Sequence, residues 1–260
     1  MDILYIFRHS VSEDWELRFS LRSVNLYLPY IRKIWILGDR PSFLVDDRAL
    51  IEHVPHDYVA WIGRYREPVK NLFLNIFLGS LLPGLSEEFI LFCDDYFLLD
   101  YVPAQRMRKD RVLENLDDIT GARGRGLWKD ALWRTYDLLK RLGYPGHNFE
   151  AHCPAYFTKQ RVWDAFREFR DFVTEDYYHG VLAHTAILNY AAKHGAIDLE
   201  LMTETKPKAT FVAPAAYDEI RSQCDGKLFL NFNEDGLNDD MRRFLGERFP
   251  VASIYERPHA

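Results

Sequence analysis

The stretch Glu88-Phe89-Ile90-Leu91-Phe92-Cys93-Asp94-Asp95-Tyr96-Phe97-Leu98-Leu99 is an apolar run broken by two adjacent acids. Its first half is short, aromatic and β-branched, which reads as a strand buried on both faces. A buried carboxylate without a partner is costly, so the pair must lie at the strand's carboxyl end, at an edge, or against a cation. Acids at strand ends also serve only to cap a turn. Here apolar residues on both sides make metal or phosphate chemistry the sharper expectation.

Other segments repeat the pattern. Ile3-Leu4-Tyr5-Ile6-Phe7 reads as a buried strand, and Ser12-Glu13-Asp14 supplies a cap and negative charge for a helix over about 14–28, with Leu17, Leu21, Val24 and Leu28 at helical spacing. Lys33-Ile34-Trp35-Ile36-Leu37 predicts a second strand and 49–54 a weaker third. Helices are expected at about 67–81, 128–141, 159–172, 178–194 and 237–248, and another strand at Lys227-Leu228-Phe229-Leu230. Strands alternating with helical patterns predict an α/β fold with a mostly parallel sheet, with strands 2–7, 33–37 and 88–93 adjacent, as one domain over 1–260.

The 260 residues are 48% hydrophobic and 28% charged, which excludes extended disorder. Net charge −6 argues against a surface that coats nucleic acid or anionic membrane. Within 105–141, however, ten Lys/Arg stand against six acids, and Gly121-Ala122-Arg123-Gly124-Arg125-Gly126 offers backbone amides and two guanidinium groups to a phosphate, or equally a solvated loop. No apolar run is long enough to span a membrane, and the expectation is a soluble cytoplasmic protein. Cys93, Cys153 and Cys224 lack CxxC spacing and read as buried thiols.

Several blocks resemble the Stealth proteins, hexose-1-phosphate transferases of bacterial capsule synthesis related to N-acetylglucosamine-1-phosphotransferase. The second block is matched by Glu16-Leu17-Arg18-Phe19-Ser20-Leu21-Arg22-Ser23-Val24, by Pro29 through Leu37 with Asp39, by His56-Asp57 and Asn71, and by Pro83-Gly84-Leu85-Ser86-Glu87 leading to Phe92-Cys93-Asp94-Asp95-Tyr96. Glu150-Ala151-His152-Cys153-Pro154 with Lys159 and Val162-Trp163 looks like the third block. Phe229-Leu230-Asn231 through Ser253 with Glu256 looks like the fourth. Two positions depart from the pattern: Phe7-Arg8-His9-Ser10 replaces a Val-Asp-Gly-Ser-Asp type stretch, and Ile76 stands where an acid is usual.

The resemblance implies a GT-A-like sheet flanked by helices and a transferase using a nucleotide-sugar donor, most simply a UDP-sugar, with a saccharide acceptor. Asp94 and Asp95 are expected to bind Mg²⁺ or Mn²⁺. His152 is the candidate third ligand or general base. Arg18 and Arg22, four residues apart on one helical face, would clamp a phosphate. Asp39 would accept from the nucleoside or its sugar, while Asn71 and Asn231 carry a donor-binding role by resemblance alone. Transfer of hexose-1-phosphate leaves a nucleoside monophosphate and transfer of the sugar alone leaves the diphosphate. The acceptor class extends to a protein or a modified nucleic acid, and a non-catalytic glycan-binding homologue is the contrasting reading.

Overall fold

A computed structural model describes residues 1–10, 13–65, 69–174, 176, 179–202 and 207–258. The first half runs β1 (Asp2–Phe7), α1 (Trp15–Tyr27), β2 (Ile34–Gly38), β3 (Ile51–Val54), α2 (His56–Gly63), α3 (Leu72–Ser80), β4 (Glu88–Phe92), β5 (Tyr96–Leu98) and α4 (Ala104–Met107). There follow β6 (Asp110–Val112), β7 (Glu114–Asn115), α5 (Leu127–Arg141), β8 (His147–Asn148), β9 (Ala155–Thr158), α6 (Lys159–Phe169) and α7 (Ala183–Lys193). The chain continues through β10 (Leu199–Leu201), β11 (Lys208–Phe211), α8 (Tyr217–Cys224), β12 (Phe229–Phe232) and α9 (Asp239–Arg248).

The principal sheet has the order β3-β2-β1-β4-β9. β1 lies parallel to β2, with Tyr5 opposite Ile36, and parallel to β4, with Tyr5 opposite Phe92. β3 is also parallel, and β9 closes the edge antiparallel to β4. The three strands expected to be adjacent are adjacent. Side chains alternate between faces. Leu4, Leu37, Phe89 and Leu91 pack into the core with α3, α6 and α7, while Ile3, Tyr5, Ile36, Ile90 and Phe92 pack with Leu17, Leu21 and Val24 of α1. Burial on both faces is why these strands read as continuous apolar runs.

The sheet's amino end is tied by Asp2. This fully buried carboxylate accepts from Arg32, the Trp35 indole and the Ser86 amide. Burial is tolerated because a cation and two neutral donors satisfy it.

A second sheet has the order β11-β12-β5, so β4 and β5 belong to different sheets and only Cys93-Asp94-Asp95 joins them. α1 fixes β5 through small side chains. Ser20 Oγ donates to the Tyr96 carbonyl at 2.6 Å and lies 2.8 Å from the Tyr5 hydroxyl, and the Leu98 amide donates to Ser23 Oγ at 3.1 Å.

Some expectations are corrected. Ser12 and the expected helix starts at 67 and 178 lie outside the described residues. Asp14 precedes α1 in a left-handed conformation and makes no side-chain cap; its carboxylate turns to His9 Nδ1 and the Ser10 amide. The helix expected at 67–81 starts at Leu72, capped by Asn71, which accepts from the Leu74 amide. The strand expected at 227–230 runs 229–232, because the Leu228 and Phe229 amides are drawn to the Pro207 carbonyl as β12 joins β11.

Candidate active site

From β1 the chain crosses to β2 on one side, while β4 lies on the other. A crevice at the carboxyl ends of parallel strands forms where the order reverses, and that is where ligands bind in such sheets. A cavity of about 660 Å³ occupies the place. Ile6 and Arg8 bring the end of β1 to it, and Cys93, Asp94, Asp95 and Tyr96 the end of β4. Residues 69–72 with Asn75, residues 149–153, residues 181–184 and Trp128 complete the wall.

Asp94 and Asp95 sit in the β4–β5 turn, closed by the Tyr96 amide donating to the Cys93 carbonyl. Burial, then Glu16, pushes the Asp94 carboxyl up to about 6. Burial, then Asp94 itself, pushes Asp95 up to about 8. Two acids that repel each other in a crevice form a site that a divalent cation would relieve. Among the described residues no three ligating side chains converge into a metal cluster, so His152 does not complete a triad with the pair. Two carboxylates alone suit an ion whose other ligands are phosphate oxygens and water.

His152 does reach the cavity, across from Trp128, with ring centroids 6.2 Å apart. Its backbone is left-handed (φ 46°). The protein packed about its ring, then Lys208, push the imidazole below its ordinary value. Asn71 lines the cavity as well, but its amide is engaged: the oxygen caps α3 and the nitrogen donates to the Asp176 carbonyl.

The remaining candidates lie off the cavity wall. Arg22 forms a two-pronged pair with Glu256, both contacts 2.8 Å, and donates to the Phe249 carbonyl. Such a guanidinium is occupied, and the expectation of Arg22 as a phosphate clamp is corrected. Arg18 lies over the Phe43 ring, 4.7 Å from its centroid, and 3.9 Å from Glu256. Asp39 follows β2 and accepts from the His9 amide at 2.8 Å. Asn231 is on β12 opposite Tyr96 and accepts from Thr210 Oγ1.

The basic segment is largely neutralised within the fold. Arg106 and Arg111 pair with Glu200, Arg108 with Glu88, Lys109 with Asp198 and Lys140 with Asp117. Arg123 of the glycine-rich loop pairs with Asp137 and lies over the Trp133 ring rather than facing a phosphate site.

Cations not anticipated take their place. Arg8 and Lys70 stand on the cavity wall. Lys208 donates to the Ala151 carbonyl at 2.5 Å and acts electrostatically on Asp95 and His152. Glu150 and His184 also line the cavity. Arg8 had a usable signal, as the residue just beyond a predicted parallel strand. Lys208 and His184 reach the site through pairings invisible in sequence.

The family model described as Stealth protein CR2, conserved region 2, matches residues 10–115. Residues 10–115 are thus similar to a Stealth conserved region 2. The matched region contains Arg18, Arg22, Asp39, Asn71 and the acid pair, whereas His152 and Asn231 lie beyond it. An exopolysaccharide phosphotransferase of Streptomyces coelicolor is 36% identical over 89 residues, covering 32% of this chain and 14% of that protein. A capsular polysaccharide phosphotransferase of Streptococcus pneumoniae is 33% identical over 94 residues, covering 34% and 27%. The chain thus spans well under a third of the length of either relative. Across all of the chain, the structure is similar to a galactosyltransferase, LgtC, crystallised with donor and acceptor sugar analogues, with TM-score 0.50, 11% identity and 98% of that protein covered. The fold is therefore GT-A-like. Among the described residues, no helix is long and apolar enough to cross a membrane.

Proposed function

We propose that this protein is a divalent-metal-dependent transferase that takes hexose-1-phosphate from a nucleotide sugar, most simply a UDP-sugar, and attaches it to a saccharide acceptor. The observation that carries the reading is the Asp94-Asp95 pair, held with raised carboxyl pKa values at the crevice between β1 and β4. The phosphotransferase relatives favour sugar-phosphate transfer over sugar transfer.

Mg²⁺ or Mn²⁺ held by Asp94 and Asp95 would neutralise the donor diphosphate. Arg8 and Lys70 supply further positive charge on the same wall. Charge grows on the leaving phosphate during transfer, so cations placed in advance stabilise the transition state more than the ground state. Asp39 follows β2 beyond the cavity wall, and its place at the carboxyl end of a parallel strand is what supports a contact with the nucleoside end of the donor. A polyanionic acceptor finds little support, since most cations of 105–141 are paired internally.

The test is incubation of the chain with a panel of nucleotide sugars, Mn²⁺ and capsular oligosaccharides. Release of nucleoside monophosphate with transfer of a sugar phosphate supports the reading. Release of nucleoside diphosphate shows sugar transfer instead, and full turnover in Asp95→Asn removes the acid pair from the reaction.

A further inference from the structure

The cavity that holds the acid turn carries a second pair of ionisable groups. Glu150 and His184 come from segments unrelated in sequence, the loop after β8 and the first turn of α7, and both line the cavity. Their side chains are only 10% and 7% exposed. Glu150 Oε1 accepts from the Thr185 amide at 3.0 Å, which fixes the carboxylate and leaves Oε2 3.4 Å from His184 Nδ1. The Glu150 amide in turn donates to Asn148 Oδ1 at 3.1 Å, and the Phe157 ring lies 5.8 Å from the imidazole. His184 Nδ1 is a buried nitrogen with no hydrogen bond. A small rotation of the ring would complete a bond to Glu150, and catalytic hydrogen bonds are commonly long before substrate binds.

We propose that Glu150 and His184 form an acid-oriented imidazole base that deprotonates the acceptor hydroxyl. This assignment rests on the transferase reading above. Glu150 fixes the proton on Nδ1, which leaves the Nε2 lone pair for the substrate, the logic by which a base is oriented by a third group. Burial raises the Glu150 carboxyl, but His184 and the Thr185 amide outweigh it and hold the group below the usual range. Glu150 is held by the Thr185 amide beside His184, so unlike the acid pair it is not open to a cation on the donor, and the pair is left to serve the neutral acceptor. His152 stands nearby with Lys208 acting on it, yet among the described residues no carboxylate lies within ion-pair distance of its ring.

In the step itself, the acceptor oxygen bonds to the phosphorus that carries the sugar. The bond from that phosphorus to the bridging oxygen breaks, and its electron pair leaves with the nucleoside monophosphate. The hydroxyl proton passes to His184 Nε2 and from there to water. Glu150 is the positioning residue and remains ionised throughout.

Two measurements test this. Nitrogen-15 NMR of the histidine rings should show His184 in the Nδ1-protonated tautomer in the intact chain, changed in Glu150→Gln; a Nε2-protonated ring in the wild type overturns the dyad whether or not a donor has been found. In transfer assays with Mn²⁺ and a nucleotide sugar, His184→Ala should lose about a hundredfold in kcat with donor KM unchanged. Added imidazole should restore part of that loss, and Glu150→Gln should lose about tenfold. Transfer by His184→Ala within threefold of wild type overturns the proposal. If the wild type releases nucleoside diphosphate while His184→Ala still shows the loss and the rescue, the dyad stands and the sugar-phosphate reading falls.

Discussion

Arg22 and Glu256, 234 residues apart in the chain, meet through two 2.8 Å contacts between a guanidinium and a carboxylate that are both largely buried. The Ser253 amide and hydroxyl donate to the same carboxylate, so the C-terminal segment is locked onto α1. Removing one partner strands the other charge away from water. Arg22→Ala should therefore cost about 3–5 kcal/mol in denaturant unfolding. Donor KM should change less than threefold, since the side chain does not line the cavity. A large rise in KM without loss of stability would return Arg22 to the phosphate.

The acid pair makes the metal-free protein sensitive to pH. Both folded-state values, about 6 and about 8, lie above that of an unfolded aspartate, so the folded state binds more protons and stability falls as pH rises from about 4 to about 8. Asp95→Asn removes the larger part of this penalty. Its gain should be on the order of 5 kcal/mol at pH 8 and under about 1 kcal/mol at pH 4. Thermal melts across that range check it, and an equal gain at both ends would contradict it.

Cation binding must displace a proton at neutral pH, because Asp95 at about 8 is mostly protonated there. Titrating Mn²⁺ with a nucleoside diphosphate into the chain, in buffers of different ionisation enthalpy, should reveal the release of about one proton, reduced in Asp95→Asn. Identical heats in all buffers would separate Asp95 from the ion.

Ser20 holds the acid turn through Tyr96. Ser20→Ala leaves both the Tyr96 carbonyl and the buried Tyr5 hydroxyl without this partner, a loss of about 1–3 kcal/mol. Urea unfolding should show that loss, and Mn²⁺ affinity should weaken with it. Wild-type affinity would mean that the turn is fixed without α1.

The legible part of the fold was the part buried on both faces. β1, β2 and β4 announce themselves because each is covered by helices, so beyond the acids at their amino ends, Asp2 and Glu88, their residues are apolar or glycine. β5, β9 and β11, with three or four residues each, lie at sheet edges and depend on partners far along the chain. Within the site, Asp94 and Asp95 were legible because they break an apolar run. Asn71 carries a second signal, since an asparagine directly before an apolar helical run is a cap. Arg22 misled because spacing on a helix places a residue on a face without naming what packs there; Glu256 decides it. Glu150 appeared only within a matched block, and His184 only within a predicted helix. Neither has a local pattern that reveals the other.

The three residues Cys93-Asp94-Asp95 are the shortest covalent span between the five-stranded and three-stranded sheets. A tether this short acts as a lever, since displacement of one sheet against the other cannot be absorbed before it reaches the carboxylates. Drawing both acids onto one cation therefore clamps the span. The strands that gain protection from amide exchange should include β12, whose residues do not line the cavity, so that binding at the turn appears as stiffness in a strand set back from the ligand.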